Sequence, residues 1–335
     1  MKAKIILLWP TLLMTMVTWA QNVGDIELKK AGRSSGGYAE KKLKKAPKKV
    51  YIAEFRVSYQ LLYSDQESTQ GGYQMGGGAI GSSSASLTVG VPSVQQQDLI
   101  DMTDKLYADY VSGLKGLGYE IVSPDVVGNS DFYQDWQRMK GGNLNQAQRL
   151  GYITVSPTDY EYYVKKVTGK GKEKSSFTGS LHRLSFEMDN MLIAQVNMVI
   201  PFMVDSESGA SKALTKSIGG VSKVVASPDF KLSEQTTAQY MYATNKFGPE
   251  ATAFTKLDKE LKIEGVFEDK KYKAVSSAQS NQNWNNAAVF TVWNTSTEYT
   301  QTAECDRDKY KNGVLRAGEK FLGASLDQLK TYTAN

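Results

Sequence analysis

The chain holds one cysteine and one histidine in 335 residues. A lone cysteine excludes an internal disulfide, so packing alone has to hold the fold together. Cys305 reads as a small buried residue just ahead of the last helix. A lone histidine excludes a multi-histidine metal site. With no G-x-S-x-G elbow for it to serve, His182 reads as structural. No D-x-D-x-D-G calcium loop and no Gly-Lys-Ser/Thr phosphate loop occur. After residue 20 no apolar run reaches the length of a membrane-spanning helix. The most apolar stretch, 177–204, is interrupted by Glu187, Asp189, Asn190 and Asn197. The carboxylate pairs Asp101/Asp104 and Asp306/Asp308 stand at helix starts, where they complement the helix dipole without any catalytic role. The expectation is a protein with no catalytic residues, no cofactor and no metal.

Against these absences stand two strong local signals. Residues 1–20 begin with Lys2 and Lys4, continue through an apolar run from Ile5 to Val17, and end in Thr18-Trp19-Ala20. That is the pattern of a secretory signal peptide, and it predicts export. No cysteine follows it, so a bacterial lipid anchor has no attachment point. The second signal is charge. The net charge is +5, yet residues 29–49 alone carry nine Lys and Arg against Glu40. The rest of the mature chain therefore has a small acid excess, and no folded basic face for nucleic acid is expected. Residues 21–49 read as a basic, flexible leader. Lys41, Lys42, Lys44, Lys45, Lys48 and Lys49 are its candidate contacts to an anionic surface.

Residues 50–335 read as a single α/β (or α+β) domain, a mixed sheet with packed helices. In Val50–Ser64, Tyr51, Ala53, Phe55, Val57, Tyr59, Leu61 and Tyr63 alternate with Glu54, Arg56, Ser58 and Gln60, the pattern of a strand with one buried face. Residues 70–93 are rich in Gly and Ser and are expected to be a flexible loop. Their Gly76, Gly78 and Gly81 have dinucleotide-loop spacing but do not directly follow the strand, so no cofactor is read there. Asp98–Leu117 has helical periodicity, and Tyr119–Val122 follows as a short strand. Asn145–Leu150 is expected to be a short helix and Tyr152–Val155 a strand. Ser180–Val204 reads as a long β-hairpin turning at Asp189-Asn190. Residues 222–232 read as a continuation of the sheet, 234–262 as two helical pieces split at Gly248-Pro249, and 288–302 as strand. A final helix runs from about Asp306, its cap, to Lys330.

One family shares this order. The strand, the helix ending in Leu117-Gly118-Tyr119, the run IAQVNMVIPFMVDSESG and the apolar closing helix GVLRAGEKFLGASLDQL resemble the curli-secretion-channel family of outer-membrane assembly proteins. The matching residues are Val196-Asn197, Val199 and the Ser208-Gly209 turn. The resemblance covers residues 50–122, 192–210 and 306–330. It implies an anticodon-binding-like periplasmic domain and an exported subunit that assembles with itself or with an envelope complex. The family's lipid-anchor cysteine is missing here and its pore-constriction residues match no position, so a pore role does not carry over.

The aromatics offer a different function. Trp136, Trp284 and Trp293 are candidate platforms for a ligand or an interface. Asn283 and Asn285 beside Trp284 have amides suited to sugar hydroxyls. The leading expectation is an exported protein of the periplasm or outer-membrane periphery that acts in assembly or interaction. Its partners would be itself or other envelope proteins, with peripheral membrane contact and no nucleic acid. The alternative is a glycan- or peptide-binding module around Trp284.

Overall fold

The computed structural model describes residues 22–30, 38–69, 72–73, 79–80, 82–175, 181–207, 221–277, 288–292, 295–299 and 301–334. The fold is α+β. Strand β1 (Lys49–Gln60) continues after Leu61 into β2 (Leu62–Thr69), which pairs with β3 (Ser83–Gly90). Helix α1 (Gln96–Gly116) follows, then β4 (Tyr152–Val155), the short helix α2 (Leu181–Glu187) and β5 (Leu192–Ile200). Next come β6 (Met203–Asp205), β7 (Val221–Pro228), β8 (Thr237–Tyr242), β9 (Ala251–Lys256), β10 (Tyr272–Ser277) and β11 (Gln301–Thr302). Helix α3 (Arg307–Thr333) closes the chain; Asp306 caps it by accepting from the backbone N–H groups of Asp308 and Lys309.

The main sheet runs β9-β8-β5-β1-β4, with the pair Leu144–Asn145 beyond β4 and Glu120–Ile121 beside the start of β1. β1 and β5 are parallel neighbours at its centre. Their pairing slips by one residue between Ile52 and Glu54. This bulge changes which side chains share a face. Val50 and Ile52 lie on the helix side together with Phe55, Val57 and Tyr59, while Tyr51 and Ala53 join a second cluster on the opposite side. The uninterrupted alternation read from the sequence is therefore wrong before residue 54.

α1 and α3 cover one face of this sheet. They approach closely because each presents a glycine: a Cβ on Gly318 would stand 2.6 Å from Leu106 Cδ2. Buried hydroxyls tie the layers together. Tyr110 on α1 donates to Tyr240 on β8 at 3.2 Å, and Tyr240 meets Ser325 on α3 at 2.8 Å. Burial pushes the Tyr240 phenol up to about 12. At the helix starts, Asp98 accepts a bidentate pair from Arg307, 2.7 and 2.9 Å, and lies 3.2 Å from Lys311. Burial opposes the Asp98 charge, but Arg307, the Gln95 backbone N–H and Lys311 outweigh it and hold the carboxyl below its ordinary range.

Several expected elements differ. Ser180–Val204 is not a hairpin: residues 181–187 form α2, and only the second arm is a strand. Leu184 and Met188 fit either period, but Phe186, inward in a strand, points outward here. Asp189 and Asn190 do make the turn, both at positive φ, which these residues tolerate. The expected helices of 234–262 are the antiparallel strands β8 and β9. Residues 146–150 form bends and a turn after the two-residue strand Leu144–Asn145, rather than a helix. Within the expected loop 70–93, residues 83–90 are strand β3, with Ser83, Ala85, Leu87 and Val89 all buried.

The leader also differs. Asn22 to Lys29 run beside residues 256–264, with single bridges from Val23 to Ile263 and Leu28 to Leu257. Tyr38 exchanges both backbone hydrogen bonds with Thr252 on the free edge of β9. Leu43 is fully buried. The apolar residues of this segment find a sheet edge to cover, which its charge count does not reveal.

Candidate interaction site

The two central strands share one peculiarity: each runs past the main sheet into an arm. β1 passes through Leu61 into β2, and β5 passes through Pro201-Phe202 into β6. The joint is built around two residues. Gln60 Oε1 accepts from the backbone N–H of Phe202 at 3.0 Å. Gly151 O accepts from Leu61 and Leu62 N–H. Gly151 has φ +75°, and a Cβ there would lie 2.1 Å from Leu62 O, so no other residue fits.

Beyond the joint the arms form two small sheets, β2-β3-β11 and β6-β7-β10. Their inner faces pack on each other through Ala85, Leu87, Val224, Ala226 and Tyr272. A buried hydroxyl cluster pins them together. Ser222 on β7 donates its hydroxyl to Ser83 O at 2.9 Å and lies 3.1 Å from Thr69 Oγ1 and 2.9 Å from Ser83 Oγ. The outer face of β2-β3 is a field of hydroxyls and amides, where Gln66 donates to Ser84 and Ser64 meets Thr88. The outer face of β6-β7-β10 is different. Val204 is 39% and Val275 51% exposed, flanked by Lys223 and Lys273. Among the described residues, β2, β6 and β10 are terminal strands of their sheets.

A polar cleft of about 480 Å³ opens on the face of the main sheet away from α1 and α3, lined by Arg56, Asn145, Thr154, Ser156, Tyr162 and Glu173. Its floor is an ion pair, Arg56 to Glu173 Oε2 at 2.7 Å, with Glu54 at 3.5 Å. Burial works against the Arg56 charge, but Glu54 and Glu173 prevail and raise its pKa. Tyr162 stacks its ring 5.2 Å from the guanidinium and donates its hydroxyl to Glu173. Asn145 donates to the same carboxylate. The Arg56 cation is neutralised within the protein, and the hydroxyls and amides of the cleft share its lining with Lys140 and Lys170.

The residues singled out from sequence fall differently. Trp284, Asn283, Asn285 and Trp293 lie outside the described residues. Trp136 is half-buried in an aromatic cluster, its ring 5.2 Å from Phe132 and 5.1 Å from Tyr133. Lys41, Lys42, Lys44 and Lys45 sit on a short 3-10 helix (Glu40–Lys45). Lys48 lies over the Tyr119 ring at 4.4 Å, and Lys49 opens β1. His182 is buried on α2, bonded through Nε2 to Thr252 Oγ1 at 2.7 Å and Ala251 O at 3.0 Å, and thus braces the helix on β9. Burial raises the Cys305 thiol to about 11, which suppresses its thiolate. Asp104 accepts from Thr158 N–H, a loop contact. No described group of three or more His, Cys, Asp and Glu is placed to hold a metal. No described helix is long and apolar enough to cross a membrane.

Sequence reasoning missed Arg56, Glu173 and Asp98, and it missed the arms. The alternation puts Arg56 on the polar face of β1; the face is right, but Tyr162 and Glu173 cover it. The arms had a legible signal in the alternation Ser83, Ala85, Leu87, Val89, which the Gly and Ser content obscured. No family model matches this chain, and the curated proteins give no match.

Proposed function

We propose that the chain is an exported envelope protein that works by assembly, joining further copies of itself or another envelope component through its two arms. The observation that carries this reading is the outer sheet β6-β7-β10. It is a three-stranded sheet with its inner face packed and an outer face on which Val204 and Val275 are exposed. Small sheets of this kind gain most of their missing stability from a further strand or a second face. The signal-peptide pattern supports a site of action in the periplasm or at the outer-membrane periphery. The resemblance to the curli-secretion-channel family supports an assembling subunit. Catalysis has no part in this reading.

Size-exclusion chromatography with light scattering on the exported protein is the test. The expected mass is a multiple of the protomer, and V204E/V275E returns it to one protomer with an unchanged melting temperature. A protomer mass for the wild type, with no envelope partner recovered after crosslinking, sinks the reading. The second reading, a module for a glycan or peptide, has the Arg56–Glu173 cleft in its favour. Glycan-array binding abolished by Tyr162→Ala would put it first.

A further inference from the structure

The end of the main sheet opposite the arms carries a different surface. β1 and β5 are parallel and leave the sheet at Gln60 and Ile200; β8 runs antiparallel to β5, pairing Met241 with Ile193. The β8–β9 loop, 243–250, therefore lies at the far end, beside the start of β1 and the 3-10 helix Glu40–Lys45.

That helix sorts its side chains into three rows. In a 3-10 helix residues i and i+3 eclipse one another. Glu40 and Leu43 form the inward row: Leu43 is fully buried, and Glu40 acts on the half-buried Tyr332 phenol of α3. Lys41 with Lys44, and Lys42 with Lys45, form the two outward rows, and all four are exposed. The left-handed Ala39, φ +50°, sets the turn that leads into this arrangement.

The loop beside it is held by one carboxylate. Glu250 accepts from both the backbone N–H and the hydroxyl of Thr244, closing the loop across its base. Lys42 Nζ lies 3.8 Å from Glu250. The Thr244 bonds, with Lys42 and Lys45 adding to them against burial, hold the Glu250 carboxyl below its ordinary pKa. The tip of the closed loop presents Lys246 and Phe247, the latter 88% exposed, and Tyr38 beside β9 is 59% exposed. Five lysines and two exposed aromatic rings thus surround Glu250, whose bonds go to Thr244, and Glu40, which lies on the inward row.

We infer that this surface docks on a bilayer carrying anionic headgroups. A soluble polyanion satisfies the lysines but leaves Phe247 in water. A membrane surface satisfies both, since aromatic side chains flanked by lysine are at home at the headgroup boundary. Charge decides the leaflet chemistry: each lysine held near an anionic surface strengthens binding about fivefold, within a Debye length. The inference does not depend on the assembly reading, because patch and arms lie at opposite ends of the sheet.

The test is flotation of the protein, purified as the cell exports it, with vesicles of phosphatidylcholine alone or with phosphatidylglycerol. Binding is expected only where phosphatidylglycerol is present and should fall as salt rises. K41Q/K42Q/K44Q/K45Q should weaken it by about tenfold or more, and Phe247→Ser by severalfold. All five positions are exposed, so melting temperatures should not move. Phe247→Trp adds a reporter whose emission, taken as the difference from the parent, should shift to the blue on these vesicles and stay unchanged on dextran sulfate. Absent flotation, flotation unaffected by both variants, or equal binding to dextran sulfate without a blue shift would each overturn the inference, the last in favour of a polyanion site.

Discussion

The main sheet and the arms are built from different materials. At the centre of the main sheet, Phe55, Tyr59, Val196, Met198 and Tyr240 are buried to the last few per cent, with two helices packed over them. The inner face of the arms holds Ser83, Ala85, Leu87, Ser222, Val224 and Ala226, and hydroxyls at its far end do what large apolar side chains do in the sheet. Apolar area sets most of the favourable folding free energy. Residue for residue, the arms bury less of it. The contrast teaches that large apolar side chains hold the main sheet, while small side chains and hydroxyls hold the arms, as the proposed completion by a partner would require.

The contrast breaks most visibly in the core. Phe55 packs edge-on against Tyr107 at 5.2 Å and tilted against Tyr110 at 5.8 Å. Phe55→Ala is expected to cost about 4 kcal/mol, measured by urea denaturation, and to lower the melting temperature of the whole domain. A cost near zero would mean that the sheet does not carry the fold.

A smaller effect is expected at the helix starts. Asp98 has a side chain only 2% exposed, whereas Arg307 keeps 43%. Removing a fully buried partner costs roughly 3–5 kcal/mol; Asp98→Asn should cost about 2 kcal/mol, because Arg307 returns to water. The sign with pH is fixed by the lowered Asp98 pKa. Its stabilisation is complete above the ordinary carboxylate range, about pH 4, and is lost as pH falls through the depressed value. Acid titration of the melting temperature should therefore be flatter in Asp98→Asn than in the parent; identical slopes would remove Asp98 from the account.

The smallest effect belongs to the arms. Ser222→Ala removes a small hydroxyl that meets Thr69 Oγ1, Ser83 Oγ and Ser83 O. We expect a loss of about 1 kcal/mol that is felt in arm protection and assembly more than in the global transition. A drop in global stability as large as that of Phe55→Ala would erase the distinction between the two regions.

How far the sequence could be read follows the same division. α1, β5 and α3 were legible because long periodic runs of large apolar residues leave one solution, and Asp306 marked its helix start. β1 was legible as a strand, but its faces were not, since a bulge near Ala53 has no composition signal. α2 was misread because Leu184 and Met188 fit both periods, and only tertiary contacts from His182 and Ser185 decide the matter. β8 and β9 were misread because Ala238, Ala251 and Ala253 favour helices in isolation, while the sheet needs small residues under α3. The hydroxyl-rich β3 looked like a loop. Of the site residues, the tryptophans drew attention by type, whereas Arg56, Ser222 and Val275 act through neighbours far away in the chain.

Hydrogen exchange of the protein, compared at high and at low concentration, separates the two regions directly. The prediction is that amides of β1, β5 and β8 exchange at the same slow rates in both, while those of β2, β3, β7 and β10 are protected only in the assembled form. Arms as protected as the main sheet in a free protomer would contradict it.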